Sequence, residues 1–164
     1  MSKRIALLAL STAALAAPAL AAPPFTTAPK SGAASSSSQA RLLSVTVSKQ
    51  ATFDRIVFRF AGSRPGYHVR YVPKIVADGS GLPIPLAGSK KLSIVFQPAR
   101  AHGAPAGSPT LRSTRTPSYP SLRQLKIAGD FEGVVSYGAG INGLKPFRVV
   151  TLNAPPRVVI EIRH

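Results

Sequence analysis

Residues 53–72 read FDRIVFRFAGSRPGYHVRYV, and their period decides the fold class. Ile56, Phe58 and Phe60 alternate with Arg55, Val57 and Arg59; after Ser63-Arg64-Pro65-Gly66, Tyr67, Val69 and Tyr71 alternate with His68 and Arg70. A repeat of two places one set of side chains inside and the other in water, the pattern of half-buried β-strands. Read as a hairpin turning at 63–66, the stretch sets Phe60 opposite Tyr67, Phe58 opposite Val69 and Ile56 opposite Tyr71. The outer face of that hairpin would then carry Arg55, Arg59, His68 and Arg70 together.

The same period recurs outward in both directions. Leu43, Val45 and Val47 form one set, Leu92, Ile94 and Phe96 a second, Phe147, Val149 and Thr151 a third, and Val158, Ile160 and Ile162 a fourth. Turn formers separate them, among them Asp78-Gly79, Asn142-Gly143 and Ala154-Pro155-Pro156. No window sustains a helical stripe and no internal repeat occurs. The expected fold is all-β, a single sandwich of short, mostly antiparallel strands over residues 42–164.

Before it lie two segments of different character. Lys3 and Arg4, the apolar run 5–17, Pro18 and the small residues Ala19-Leu20-Ala21 have the form of a signal peptide over 1–21, cut near Ala21/Ala22. The run is too short to span a bilayer, which takes about 20 apolar residues, and no transmembrane segment is expected in the mature chain. Residues 22–40, APPFTTAPKSGAASSSSQA, carry little apolar bulk and read as a disordered Ala/Pro/Ser-rich linker. A secreted protein, residing outside the cell, in the wall or in the periplasm, is the expectation.

The 164 residues hold 21 Lys and Arg against 5 Asp and Glu, a net charge of +16, with 45% hydrophobic residues. That hydrophobic fraction excludes a wholly disordered chain. The absence of cysteine excludes disulfides, thiolate metal centres and thiol nucleophiles. The charge points to a polyanionic partner. No acid occurs between Gly79 and Gly129, while the proline-rich stretch from Pro98 to Pro120 supplies Arg100, Arg112 and Arg115. A loop of that length is functional or mobile.

Catalysis finds little support. His68, His102 and His164 stand apart in the sequence, with no metal-binding or nucleophile motif around them, so no catalytic residue, metal or cofactor is expected. Asp130 and Glu132, in Gly129-Asp130-Phe131-Glu132-Gly133, could serve as the carboxylate pair of a carbohydrate-active enzyme. The flanking glycines favour a structural turn motif in which the acids cap backbone amides. Single-strand nucleic-acid binders expose aromatics on a sheet face, whereas Phe58, Phe60, Tyr67 and Tyr71 fall on the core side here. Nucleic acid is therefore the less favoured partner.

The strings Asp54–Phe60, Pro65–Val72 and Asp78–Leu86, followed by Gly129–Gly133, Pro146–Leu152 and Pro156–Ile162, together resemble the AMIN-like domain of secreted bacterial proteins. That group is named for its similarity to the AMIN domain. The resemblance implies a non-catalytic β-sandwich that binds the cell envelope, peptidoglycan or an anionic wall polymer, and brings no catalytic residues. Arg55, Arg59, His68, Arg70, Arg100, Arg112 and Arg115 are the expected contact set. The alternatives are a general polyanion or nucleic-acid binder and a module that recruits another envelope protein along a sheet edge.

Overall fold

The computed structural model describes residues 22–103 and 114–164; the expected signal peptide and Arg112 lie outside them. Ten strands form among the described residues, and no helix. They are β1 (Lys30–Gly32), β2 (Ala40–Lys49), β3 (Phe53–Ala61), β4 (Gly66–Val72), β5 (Lys90–Gln97), β6 (Ala99–Arg100), β7 (Leu122–Phe131), β8 (Val134–Ile141), β9 (Phe147–Asn153) and β10 (Pro156–Arg163). Sheet I has the order β6-β2-β3-β10-β9 and sheet II the order β1-β4-β5-β8-β7. All pairings are antiparallel except β2 with β6. The all-β sandwich expected from the period of two is what forms.

The core lies between the sheets and takes most of the residues the alternation assigned to it, although Thr151 is exposed and Tyr67 and Tyr71 are half-buried. Ile56, Phe58 and Phe60 from β3 face Leu92, Ile94 and Phe96 from β5, all essentially inaccessible. Phe58 packs on Phe96 with ring centroids 4.8 Å apart and on Tyr137 at 5.1 Å, and Phe60 meets Phe96 at 5.3 Å. Each such buried side chain stabilises the fold by about 1.5–3 kcal/mol, so these rings knit the two sheets together. In β2 a bulge between Leu42 and Ser44 shifts the phase, so Leu42 rather than Leu43 joins Val45 in the interior.

The expected β3–β4 hairpin does not form. β3 pairs with β2 and β10 in sheet I, β4 with β1 and β5 in sheet II, and residues 62–65 carry the chain from one sheet to the other. Alternation fixes which face a side chain takes but not which strand lies beside it. Across a sandwich, two inward-facing strands bury the same residues that a hairpin would. The corner's polar groups bond elsewhere: Ser35 N–H donates to Arg64 O at 2.9 Å, and Arg64 N–H donates to Ser35 Oγ at 2.9 Å.

That contact comes from the stretch expected to be a free linker. Thr26 exchanges backbone hydrogen bonds with Phe147 at the edge of sheet I, and four residues later β1 begins and pairs with β4, Lys30 opposite Val69 and Gly32 opposite Tyr67, at the edge of sheet II. Phe25 stacks on Phe53 with centroids 6.0 Å apart, and Lys30 Nζ lies 4.7 Å from the Phe147 ring centre. Counting apolar bulk missed this strap, because backbone bonding, one ring and cation–π contacts hold it.

Sheet II is roofed on its outer side. In β8, Val135, Tyr137, Ala139 and Ile141 point to the core, leaving Ser136, Gly138 and Gly140 outward. A Cβ on Gly138 would come within 3 Å of Ile75 and Leu86, and one on Gly140 would meet the Ala87 carbonyl at 1.7 Å. These two glycines let the 73–89 loop lie directly on the strand.

At the corner after β8 the Tyr71 hydroxyl donates to the Lys145 carbonyl at 2.7 Å and accepts from Lys145 N–H at 3.2 Å. Burial pushes the Tyr71 phenol above its ordinary value of 10.0, against the smaller opposing pull of that N–H. The neutral form is the one the fold favours, so its contribution is complete below 10.0 and fades as pH rises through the raised value. Tyr71→Phe should cost about 1–2 kcal/mol in urea unfolding. It should also remove the late step of phenolate absorbance in an alkaline titration; an unchanged titration would discount this environment.

Candidate functional site

The strand registers arrange the outer face of sheet I in rows, with the Phe25 ring lying over its Arg148 and Arg163 end. Arg59 of β3 lies opposite Arg157 of β10, which lies opposite Leu152 of β9. The next row is Val57, Val159 and Val150, and the third is Arg55, Glu161 and Arg148. Arg163 continues the face beside Phe53.

The third row is neutralised internally. Glu161, only 3% exposed, accepts from Arg55 Nε and Nη2 at 2.9 and 2.7 Å and from Arg148 Nε at 2.6 Å. Arg148 and Arg163 flank the Phe25 ring at 4.4 and 4.8 Å from its centre. The first row has no such compensation. Neither Arg59 nor Arg157 has a carboxylate partner among the described residues, and the Arg157 Nε is buried without a hydrogen bond. Between the rows lies a cleft of about 190 Å³ with the three valines as its floor, Leu152 along it, and Arg157 and the Arg55–Glu161 pair at its ends.

This arrangement separates the residues that the sequence grouped. Arg55 and Arg59 share the outer face of sheet I, while His68 and Arg70, both exposed, lie on the outer side of sheet II because β3 and β4 belong to different sheets. Arg100 sits on β6 opposite Arg41, at the far edge of sheet I. Arg115 bridges Leu125 along the outer edge of β7. Arg148, Arg157 and Arg163 were missed as contacts. The signal for them was present: the outward positions of the runs 147–153 and 156–163 follow from the same alternation that assigned their inward ones.

The acids take structural places. Asp130 Oδ1 accepts from the Ala101 amide at 2.9 Å and lies 3.0 Å from His102 Nδ1. Glu132, at φ 46°, and Gly133, at φ 79°, form the two-residue β7–β8 turn, with the Glu132 side chain exposed. A Cβ on Gly129 would collide with Asp78, whose Oδ2 accepts from Ser136 Oγ at 2.7 Å. His164 is held in place: its Nε2 lies 3.0 Å from Oδ1 of the fully buried Asp54.

Neither a curated protein nor a solved structure matches the chain. A family model, that of the AMIN-like domain, matches residues 40–164, from the first residue of β2 to the end of the described chain. The motifs that carried the resemblance are spread over that whole match, and the chain belongs to the AMIN-like domain family.

Proposed function

We propose that this protein is a secreted, non-catalytic module that binds cell-wall polymer, peptidoglycan in the first place, through the outer face of sheet I. The observation that carries the reading is the charge distribution there. Arg55, Arg59, Arg148, Arg157 and Arg163 share one acid, Glu161, which Arg55 and Arg148 already occupy. Membership of the AMIN-like family supports a wall-binding role, and a signal peptide would deliver the chain there. Guanidinium groups bind carboxylates and phosphates through paired N–H donors. The valine strip between them offers an apolar surface to the rest of a ligand. On sheet II the 73–89 loop takes up the corresponding space over β8.

The test is co-sedimentation with purified peptidoglycan, with anionic wall polymers stripped or retained and DNA-cellulose in parallel. Arg59→Glu should weaken retention about tenfold or more, while Arg70→Glu, on the other sheet, should leave it within twofold. Equal losses in the two variants would remove sheet I from the assignment. Retention that matches on DNA and collapses between about 50 and 200 mM salt would identify a charge-only polyanion binder instead.

A further inference from the structure

We infer that the valine-floored cleft of sheet I seats the terminal carboxylate of a short peptide with small aliphatic side chains. The inference deepens the wall-binding reading and rests on it, since stem peptides of peptidoglycan carry such groups.

Three features converge. First, Arg59 and Arg157 stand directly opposite on neighbouring strands. Like charges in that position destabilise a sheet. The face tolerates this pair although a single glutamate neutralises the corresponding arginines two rows away. A two-oxygen anion lying between the guanidiniums would turn the repulsion into a pair of charge-assisted bonds. Second, no hydrogen bond or ion pair from a described residue holds the Arg157 side chain, its Nε included, so the guanidinium's donors are left for an anion. Third, the adjoining surface is aliphatic: Val57, Val150 and Val159 floor the cleft, and Leu152, 40% exposed, lines it. That surface suits methyl groups better than the hydroxyls of a sugar or the bare oxygens of a phosphodiester chain.

The dimensions agree. Arg157 and Glu161 are four residues apart on β10, about 13 Å along an extended strand, so the cleft of about 190 Å³ takes one or two small residues rather than a long polymer. The Glu161 oxygens are held by Arg55 and Arg148, so the anion belongs at the Arg59–Arg157 end.

Acetyl-D-Ala-D-Ala, its C-terminal carboxamide and inorganic phosphate are the probes, added to the full chain as expressed and exported and followed by NMR. The acid dipeptide should shift the Arg157 Nε–H resonance together with the methyls of Leu152 and the three valines, and the carboxamide at equal concentration should not. Arg157→Gln should weaken the response at least about tenfold. Arg157→Lys keeps the charge without the fork and should weaken it also, which serves if the glutamine variant fails to fold. Phosphate moving Arg157 as strongly as the dipeptide, with the methyls still, would overturn the peptide assignment. No response to the dipeptide would overturn the inference outright. If the protein then still sediments with peptidoglycan, only this inference falls; if sedimentation fails too, the wall-binding reading falls with it.

Discussion

Asp54→Ala lowers the unfolding free energy by about 3–5 kcal/mol. The carboxylate is completely inaccessible. One oxygen, Oδ2, accepts from the Ser121 and Leu122 amides at 2.8 Å each, and Oδ1 faces His164 Nε2 at 3.0 Å. Alanine removes the acceptors and leaves two amides at the start of β7 buried without partners, the costly side of losing a hydrogen bond. It also releases His164, the residue after β10. Asp54→Asn keeps a carbonyl oxygen for the two amides and should lose only about half as much. Urea unfolding followed by tyrosine fluorescence measures both. A loss of under about 1 kcal/mol for alanine would mean that water replaces the carboxylate without penalty, and that the latch contributes nothing.

The second large effect concerns the strap. A chain begun at Ala40, where the family match starts, lacks the Thr26–Phe147 pairing, the Phe25 ring between Arg148 and Arg163, Lys30 over Phe147 and the whole of β1. An aromatic pair contributes about 0.5–1.5 kcal/mol, an exposed cation–π contact about 0.5–1 and each backbone hydrogen bond about 1. Ordering the segment offsets much of the total, so a net loss of about 2–4 kcal/mol is expected. The deletion also bares the edge of β4, and an uncovered edge recruits other strands. Urea midpoints should fall and light scattering should reveal association. A truncated chain that melts at the full-length midpoint and stays monomeric would show that the strap merely rests on the surface.

The extent to which the molecule could be read in advance follows from what alternation encodes. It carries inside and outside, and so Ile56, Phe58, Phe60, Leu92, Ile94, Phe96, Val158, Ile160 and Ile162 all lie in the core where the alternation puts them. It does not carry partnership. The Ser63–Gly66 corner looks the same in sequence whether it closes a hairpin or crosses between sheets, and the crossing is what moved Arg70 away from Arg59. The bulge at Leu43 and the strap before β2 escaped for a related reason: both are settled by backbone bonding, which leaves no mark in hydrophobicity. For the site, Arg55 and Arg59 were found, while Arg157 was passed over although it sits in the same period-two pattern. Its importance depends on standing opposite Arg59, a fact of register between strands about a hundred residues apart in the chain. The Arg55–Glu161 ion pair, separated by 106 positions, was hidden in the same way.

The place of β10 in sheet I governs when the protein can fold. β10 lies between β3 and β9, so β3 waits for a neighbour that is the tenth of the described strands. A nascent chain that has not yet released residues 156–163 holds β3 in a local hairpin with β2 on one edge but lacks the strand that covers the other edge beside Phe58 and Ile56. Such topologies fold in milliseconds to seconds rather than microseconds. Closure of sheet I therefore comes only once residues 156–163 are available, and until then Ile56 and Phe58 stay uncovered along the β10 side while the strands between are laid down.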